Sequence, residues 1–125
     1  MFTHTPDTIT SLKQNEVFVF GSNEAGIHGA GAAKLALKFG AKRFIGQGLC
    51  GQTYAIPTKD KKIKTLPLDK IENYIKIFLE EAEQMPELTF LVTKIGCGLA
   101  GYKPEQLKKF FVKVPHNVIL PKEFM

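Results

Sequence analysis

The sequence predicts an α/β fold in which a mixed, largely parallel sheet is covered by helices. Two observations predict it. Short apolar runs typical of buried strands alternate along the chain with segments of helical character. Two of those runs also lead directly into glycine-rich loops. In open sheets of this kind ligands bind beyond the carboxyl ends of the strands, so we expect a ligand site where the two loops converge.

The composition favours one domain that spans residues 1–125. A chain of 125 residues with 44% hydrophobic residues can bury a core without disulfides or a structural metal. The two cysteines, Cys50 and Cys97, show neither metal-ligand nor CxxC spacing, which suits a reducing compartment. We also see no run long enough to span a membrane and no signal peptide. These features predict a cytoplasmic protein without a membrane partner, a metal or another cofactor.

The first strand, loop and helix are predicted within the first third of the chain. Residues 17–20 are β-branched and aromatic, as in a strand buried on both faces, and this strand ends at Gly21. Three glycines follow before a run of strong helix formers over residues 32–39. Gly40 is the expected residue after the helix end. The order is typical of an α/β phosphate-binding unit.

A glycine-rich stretch over residues 43–51 precedes a second predicted strand, 54–56, which Pro57 should stop. A helix is predicted to start near Asp69 and to end before Pro86. Its apolar residues recur at helical spacing and should face the core. They are Ile71, Tyr74, Ile75, Phe78, Leu79 and Ala82.

The last third repeats the pattern of strand and glycine loop. Residues 89–93 predict a buried strand that continues into the glycine-rich segment 95–102. Pro104 suits the first turn of a final helix over residues 105–111, and residues 118–120 predict the last strand. Glycines at such junctions let backbone N–H groups approach an anion closely, and a diphosphate is the natural guest. Neither the GxGxxG nor the GxxxxGK[ST] motif is present.

These two loops resemble the ligand loops of macrodomains. Gly21-Ser22-Asn23 with residues 28–33 is similar to the first loop, and residues 95–102 are similar to the loop that wraps the phosphates. The segment 54–59 lies where the family has a strand, so the resemblance covers most of the chain. It is nearest to the compact branch that includes the terminal ADP-ribose protein glycohydrolase and small phage or bacterial macro-like proteins. The resemblance implies a three-layer α/β/α fold and a cleft for ADP-ribose.

The resemblance also implies which residues meet the ligand. Asp7 is expected near the adenine, and backbone N–H groups of the second loop are expected to face the diphosphate. The first-loop residues carried over are Ser22, Asn23, Gly29, Ala30 and Gly31. Those of the second loop are Gly96, Cys97, Gly98, Leu99, Ala100, Gly101 and Tyr102.

Catalysis is left open by the resemblance. In the glycohydrolase branch a lysine attacks the distal ribose, and Lys59 matches it, but Ala100 stands at the position of the assisting aspartate. In another hydrolytic branch an aspartate follows the first loop, where this chain has Ala33. His28 is a second candidate for action on the distal ribose. We therefore expect a protein that binds ADP-ribose, or an ADP-ribosylated protein, nucleic acid or metabolite, and that either only binds it or also hydrolyses it.

Two other classes of function stay open. The lysines at positions 59, 61, 62 and 64 could make a nucleic-acid-binding module, although no aromatic residues are interleaved for base stacking. Cys97 could be the nucleophile of an unrelated enzyme if a helix N-terminus stabilised its thiolate. Its alternative role is that of a small residue that fits a tight turn.

Overall fold

A computed structural model describes residues 3–125 of the chain as an α/β fold. In chain order the strands and α-helices are β1 (Glu16–Asn23), α1 (Gly31–Ala36), β2 (Gly48–Cys50), β3 (Thr53–Lys59), α2 (Leu68–Glu83), β4 (Thr89–Val92), α3 (Pro104–Lys108) and β5 (Val118–Ile119). The described residues also form three single turns of 3₁₀ helix: Leu37–Phe39, Lys109–Phe111 and Lys122–Phe124. None of the helices in this range is both long enough and apolar enough to cross a membrane.

The strands form one mixed sheet in the order β2-β3-β1-β4-β5. All neighbouring pairs are parallel except β2 and β3, which run antiparallel. The central strand β1 pairs with β3 on one side and with β4 on the other. Because these three strands are parallel, their carboxyl ends lie at the same edge of the sheet.

Strand β1 is buried on both faces, as its continuous apolar run predicts. Its residues alternate between two core clusters: Val17 and Val19 pack in one, and Phe18 and Phe20 pack in the other. The first cluster includes buried residues of α2 and α3, and the second includes buried residues of α1. Since successive side chains of a strand point to opposite faces, α1 covers one face of the sheet and α2 and α3 cover the other.

Helix α2 confirms the predicted apolar stripe. Ile71, Ile75, Phe78 and Ala82 are fully buried. The helix begins at Leu68, one residue before Asp69 and so near the predicted start, but no side chain caps it. Asp69 lies in the first turn instead, where its charge complements the helix dipole.

The region around β2 and β3 differs from the sequence prediction. Strand β3 passes through Pro57 and ends at Lys59. This is tolerated because pairing with β2 ends at Ala55, so β3 has a partner on only one side at Pro57. The three-residue strand β2 was not predicted, because its glycine and cysteine carry no strand signal of their own.

The ends of the predicted helices also differ. The helix predicted over residues 32–39 divides into α1, six residues long, and a 3₁₀ turn. Gly40 follows with a φ of 108°, which confirms it as the residue that ends this segment. The helix predicted over 105–111 likewise divides into α3 and a 3₁₀ turn, with Pro104 in its first turn.

Candidate ligand-binding site

A cavity of about 460 Å³ opens at the carboxyl edge of the sheet, where β1, β3 and β4 end. Both glycine loops line it, together with the end of β3, so the two loops converge as the strand arrangement predicts. Its volume is in the range of small-molecule sites, about 300–1,000 Å³. The predicted site residues that line it are Ser22, Asn23, Gly29, Ala30, Gly31, Lys59, Gly96, Gly98, Leu99 and Ala100.

The first loop is held in shape by the side chain of Asn23. Its Oδ1 accepts a hydrogen bond from the backbone N–H of Ile27 at 2.9 Å, and its Nδ2 donates to the carbonyl of the same residue at 2.7 Å. An amide side chain that bonds nearby backbone in this way fixes a turn. Asn23 therefore positions the loop that lines the cavity.

The segment between α1 and β2 packs beneath the first loop. The Ser22 hydroxyl donates to the carbonyl of Gly46. A Cβ on Gly46 would overlap the carbonyl oxygen of Asn23, and a Cβ on Gly26 would overlap the backbone of Phe44. Glycine at these two positions is required by close backbone approach, which binds the loop to its support.

His28 belongs to this support and does not line the cavity. The ring is 5% exposed and packs edge-on against Phe20. Its Nε2 lies 3.0 Å from the carbonyl oxygen of Lys42 and 3.2 Å from that of Ile45. Because both partners are acceptors, Nε2 carries the proton and donates. The side chain is thus engaged in holding two loops together, away from the space in which a ligand could bind.

The second loop is shaped by two residues that also do not line the cavity. Gly101 has a φ of 88°, and its N–H donates to the carbonyl of Gly98. The backbone N–H of Tyr102 donates a hydrogen bond to the carbonyl of Gly96, and its hydroxyl donates to the carbonyl of Leu66 at 2.6 Å. These contacts tie the loop to the segment that follows β3.

The first part of that segment, residues 60–65, is a tight turn that carries Lys61, Lys62 and Lys64. The carboxylate of Asp60 accepts the backbone N–H groups of Lys62 at 2.8 Å and Lys64 at 3.0 Å. The bond from Lys64 is the largest cause that holds the pKa of Asp60 below its usual value. The Thr65 hydroxyl donates to the carbonyl of Ala100 at 2.9 Å. The turn and the second loop therefore form one rim of the cavity.

Free backbone donors surround the cavity. The lining residues Gly29, Ala30, Gly98, Leu99 and Ala100 lie outside helices and strands. Their N–H groups donate to no protein acceptor within residues 3–125. The N–H of Cys97, in contrast, donates to the carbonyl of Lys94 at 3.2 Å and is not free. Unpaired backbone N–H groups at a concave site are suited to an anion.

At two positions in the cavity, nothing within the described part of the protein requires the residue to be glycine. Gly29 and Gly98 lack a positive φ, so their backbone conformation does not require glycine. A Cβ at either position would meet nothing within 4 Å, so packing does not require it either. A missing Cβ at both positions widens the cavity and leaves the backbone open to close approach by a bound molecule.

The charged side chains of the cavity are all positive. Lys59 and Lys94 line it, and none of its described lining residues carries a carboxylate. Ala33 and Ala100, which the resemblance to macrodomains aligned with the aspartates of the hydrolytic branches, both line it. Free N–H groups and two ammonium groups without a carboxylate favour an anionic ligand.

A second cavity of about 510 Å³ adjoins the first. It contains Asp7 and Cys97 of the predicted site, together with apolar side chains such as Ile9 and Leu35. Four residues line both cavities: Ala32, Thr93, Lys94 and Gly98. The two spaces therefore meet between the start of α1 and the second loop.

The surroundings of Cys97 disfavour its thiolate form. Burial raises the pKa of the thiol, and this outweighs the opposite effect of the nearby Lys94. This direction is opposite to the thiolate stabilisation that the cysteine-nucleophile alternative requires, and it agrees with the other reading of Cys97 as a small residue in a tight turn. A thiol whose pKa lies above its usual value is mostly protonated at neutral pH and is a poor nucleophile. Within residues 3–125 no three His, Cys, Asp or Glu side chains gather where a metal ion could bind.

Sequence reasoning missed several residues that line the first cavity. Three of them lie close to the carboxyl end of a strand: Thr58, Thr93 and Lys94. Each is also within two residues of the end of a predicted strand, and this position was the signal that could have identified them. Ile27 and Ile63 also line the cavity, each about two-fifths exposed, at 43% and 42%. No sequence pattern marks these two, because each is a single apolar residue in a loop.

Comparisons with known proteins add no family assignment. No protein family model matches the chain, and neither a curated protein nor a solved structure matches it.

Proposed function

We propose that this protein is a macrodomain-like module, with the three-layer α/β/α arrangement of that family, that binds ADP-ribose or a related ADP-ribosyl group. The diphosphate lies against the two glycine loops in the first cavity. The proposal combines the resemblance of these loops to macrodomain loops with the arrangement of the cavity that they line.

The observation that carries the proposal is the pair Gly29 and Gly98. They lie on different loops, line one cavity, and have neither a conformational nor a packing need for glycine. Close approach of a ligand to the backbone supplies that need. The neighbouring free N–H groups and the positive charge of Lys59 suit the anionic part of such a ligand.

The second cavity supports a ligand with two bulky ends. An adenine placed among its apolar residues can donate a hydrogen bond from its amino group to the carboxylate of Asp7, which lines this space. The diphosphate then passes Gly98 at the junction, and the distal ribose lies in the first cavity near Lys59. Ser22 and Asn23 shape the base of that cavity.

The proposed activity is binding of the ADP-ribosyl group, and hydrolysis of its linkage is a second activity that the proposal leaves open. Lys59 lines the first cavity and is the candidate nucleophile, but the described lining residues of this cavity include no carboxylate to act as a general base. Loss of such a base typically reduces a rate by about 10²- to 10⁴-fold. We therefore propose a reader of ADP-ribosyl groups, with at most slow turnover.

The test is calorimetry of the full chain with ADP-ribose, and with AMP and ribose 5-phosphate as the two halves of the ligand. We expect saturable binding of ADP-ribose that is tighter than binding of either half. No heat of binding at millimolar ADP-ribose would refute the proposal.

The same measurement at two salt concentrations separates the nucleic-acid alternative. Affinity of a single-stranded oligonucleotide for the lysine turn should fall steeply with salt, while a ligand held mainly by backbone N–H groups should respond weakly. Turnover is followed by release of ADP-ribose from a modified protein or oligonucleotide, with Lys59→Met as the inactive control. Tight oligonucleotide binding without ADP-ribose binding would favour the alternative.

A further inference from the structure

Lys94 occupies the junction between the two cavities. It lies two residues after Val92, the last residue of β4, and lines both spaces, as do Thr93 and Gly98. Lys59, the other cationic side chain of the first cavity, does not line the second. A ligand that extends through both spaces must therefore pass Lys94 at its middle.

Lys94 has a partner within the protein. Its Nζ lies 3.8 Å from Oε2 of Glu123, which lines the second cavity. The two side chains are 53% and 37% exposed. An ion pair this long and this exposed is weak, with a median worth of about 0–1 kcal/mol, so a competing anion can replace it at little expense.

We propose that Lys94 binds the central anionic group of a ligand that spans both cavities, and that Glu123 is the counter-ion it leaves when this ligand binds. This inference rests on the proposed function and adds a residue that neither the loop resemblance nor the sequence pattern assigned. Charge-assisted bonds from an ammonium to phosphate oxygens are about twice as strong as neutral ones. Lys94 thereby favours ligands whose negative charge lies between two bulky ends, and a diphosphate is the chemical class that fits.

The test compares the affinity for ADP-ribose, by calorimetry at fixed salt, among variants of the full chain. We expect Lys94→Met to weaken binding about tenfold or more, as for loss of one hydrogen bond to a charged group. Lys94→Arg should stay within about threefold of the wild type because the charge is kept. Lys62→Met is the matched control, since Lys62 is exposed and lines neither cavity. Thermal melting verifies that each variant folds.

Glu123→Gln provides a second readout that simple loss of structure would not produce. Removal of the counter-ion should tighten ADP-ribose binding a few-fold in the wild type and have little effect in the Lys94→Met background. If the wild type binds ADP-ribose and Lys94→Met binds it with an affinity within twofold of the wild type, the inference is overturned. An equal effect of Glu123→Gln on affinity in both backgrounds would also overturn it. Absence of wild-type binding would instead refute the proposed function itself.

Discussion

Substitution of Gly98 by alanine tests the central physical argument, because it adds one methyl group at the junction of the two cavities. The added Cβ meets nothing within 4 Å in the protein, and the residue has no positive φ. The folded chain should therefore accept alanine without strain. A bound ligand that approaches the backbone at this point should not.

The expected magnitudes have opposite signs for stability and for binding. At a compatible backbone conformation, replacement of glycine by alanine stabilises the folded state by about 0.4–1 kcal/mol, because the unfolded chain loses freedom. This corresponds to a rise of a few degrees in Tm. A methyl group forced into an occupied site costs about 1–3 kcal/mol, which is roughly a 5- to 150-fold loss of ADP-ribose affinity.

Gly101→Ala is the matched control in the same loop. Gly101 lines neither cavity, but its φ of 88° lies in the left-handed region. Alanine there should destabilise the fold by about 1–2 kcal/mol and leave the affinity within twofold. Melting by circular dichroism and calorimetry with ADP-ribose measure the two quantities. Unchanged binding by Gly98→Ala, or an equal loss of binding by Gly101→Ala, would show that the missing Cβ of Gly98 does not serve a ligand.

Three further predictions concern the framework of the site. The hydrogen bond from the Tyr74 hydroxyl to Glu24, with burial, raises the pKa of Tyr74 from its ordinary value of 10.0 to about 12. The stability difference between the wild type and Tyr74→Phe should therefore be complete below pH 10 and disappear as the pH rises to about 12, as measured by urea unfolding at several pH values; a difference that grows with pH would contradict this. Gly46→Ala should unfold more readily by several kcal/mol, because its Cβ overlaps the carbonyl oxygen of Asn23, and a melting temperature equal to that of the wild type would rule out the close approach. Cys97 should react with iodoacetamide at pH 7 no faster than a free thiol, measured by mass spectrometry in a variant without the other cysteine, and rapid alkylation would revive the cysteine enzyme.

Most of the secondary structure could be predicted from local patterns. The apolar run of β1 and the helical spacing of Ile71, Ile75 and Phe78 each specify an element through its own periodicity. Strand β2 and the passage of β3 through Pro57 could not be predicted in this way. Both depend on which strand lies beside β3 and where that pairing ends, and sequence neighbours do not contain this information.

The features of the candidate site likewise separate into those that local sequence predicts and those that depend on tertiary contacts. The sequence by itself determined that two glycine loops follow buried strands, and a parallel sheet then brings them to one edge. Only the tertiary structure decided which residues border the space between them: Lys94 lines both cavities, while His28 turns inward to bond the carbonyls of Lys42 and Ile45. The physical reason is that backbone conformation is set by local sequence, whereas the direction and contacts of a loop side chain depend on distant segments that pack against it.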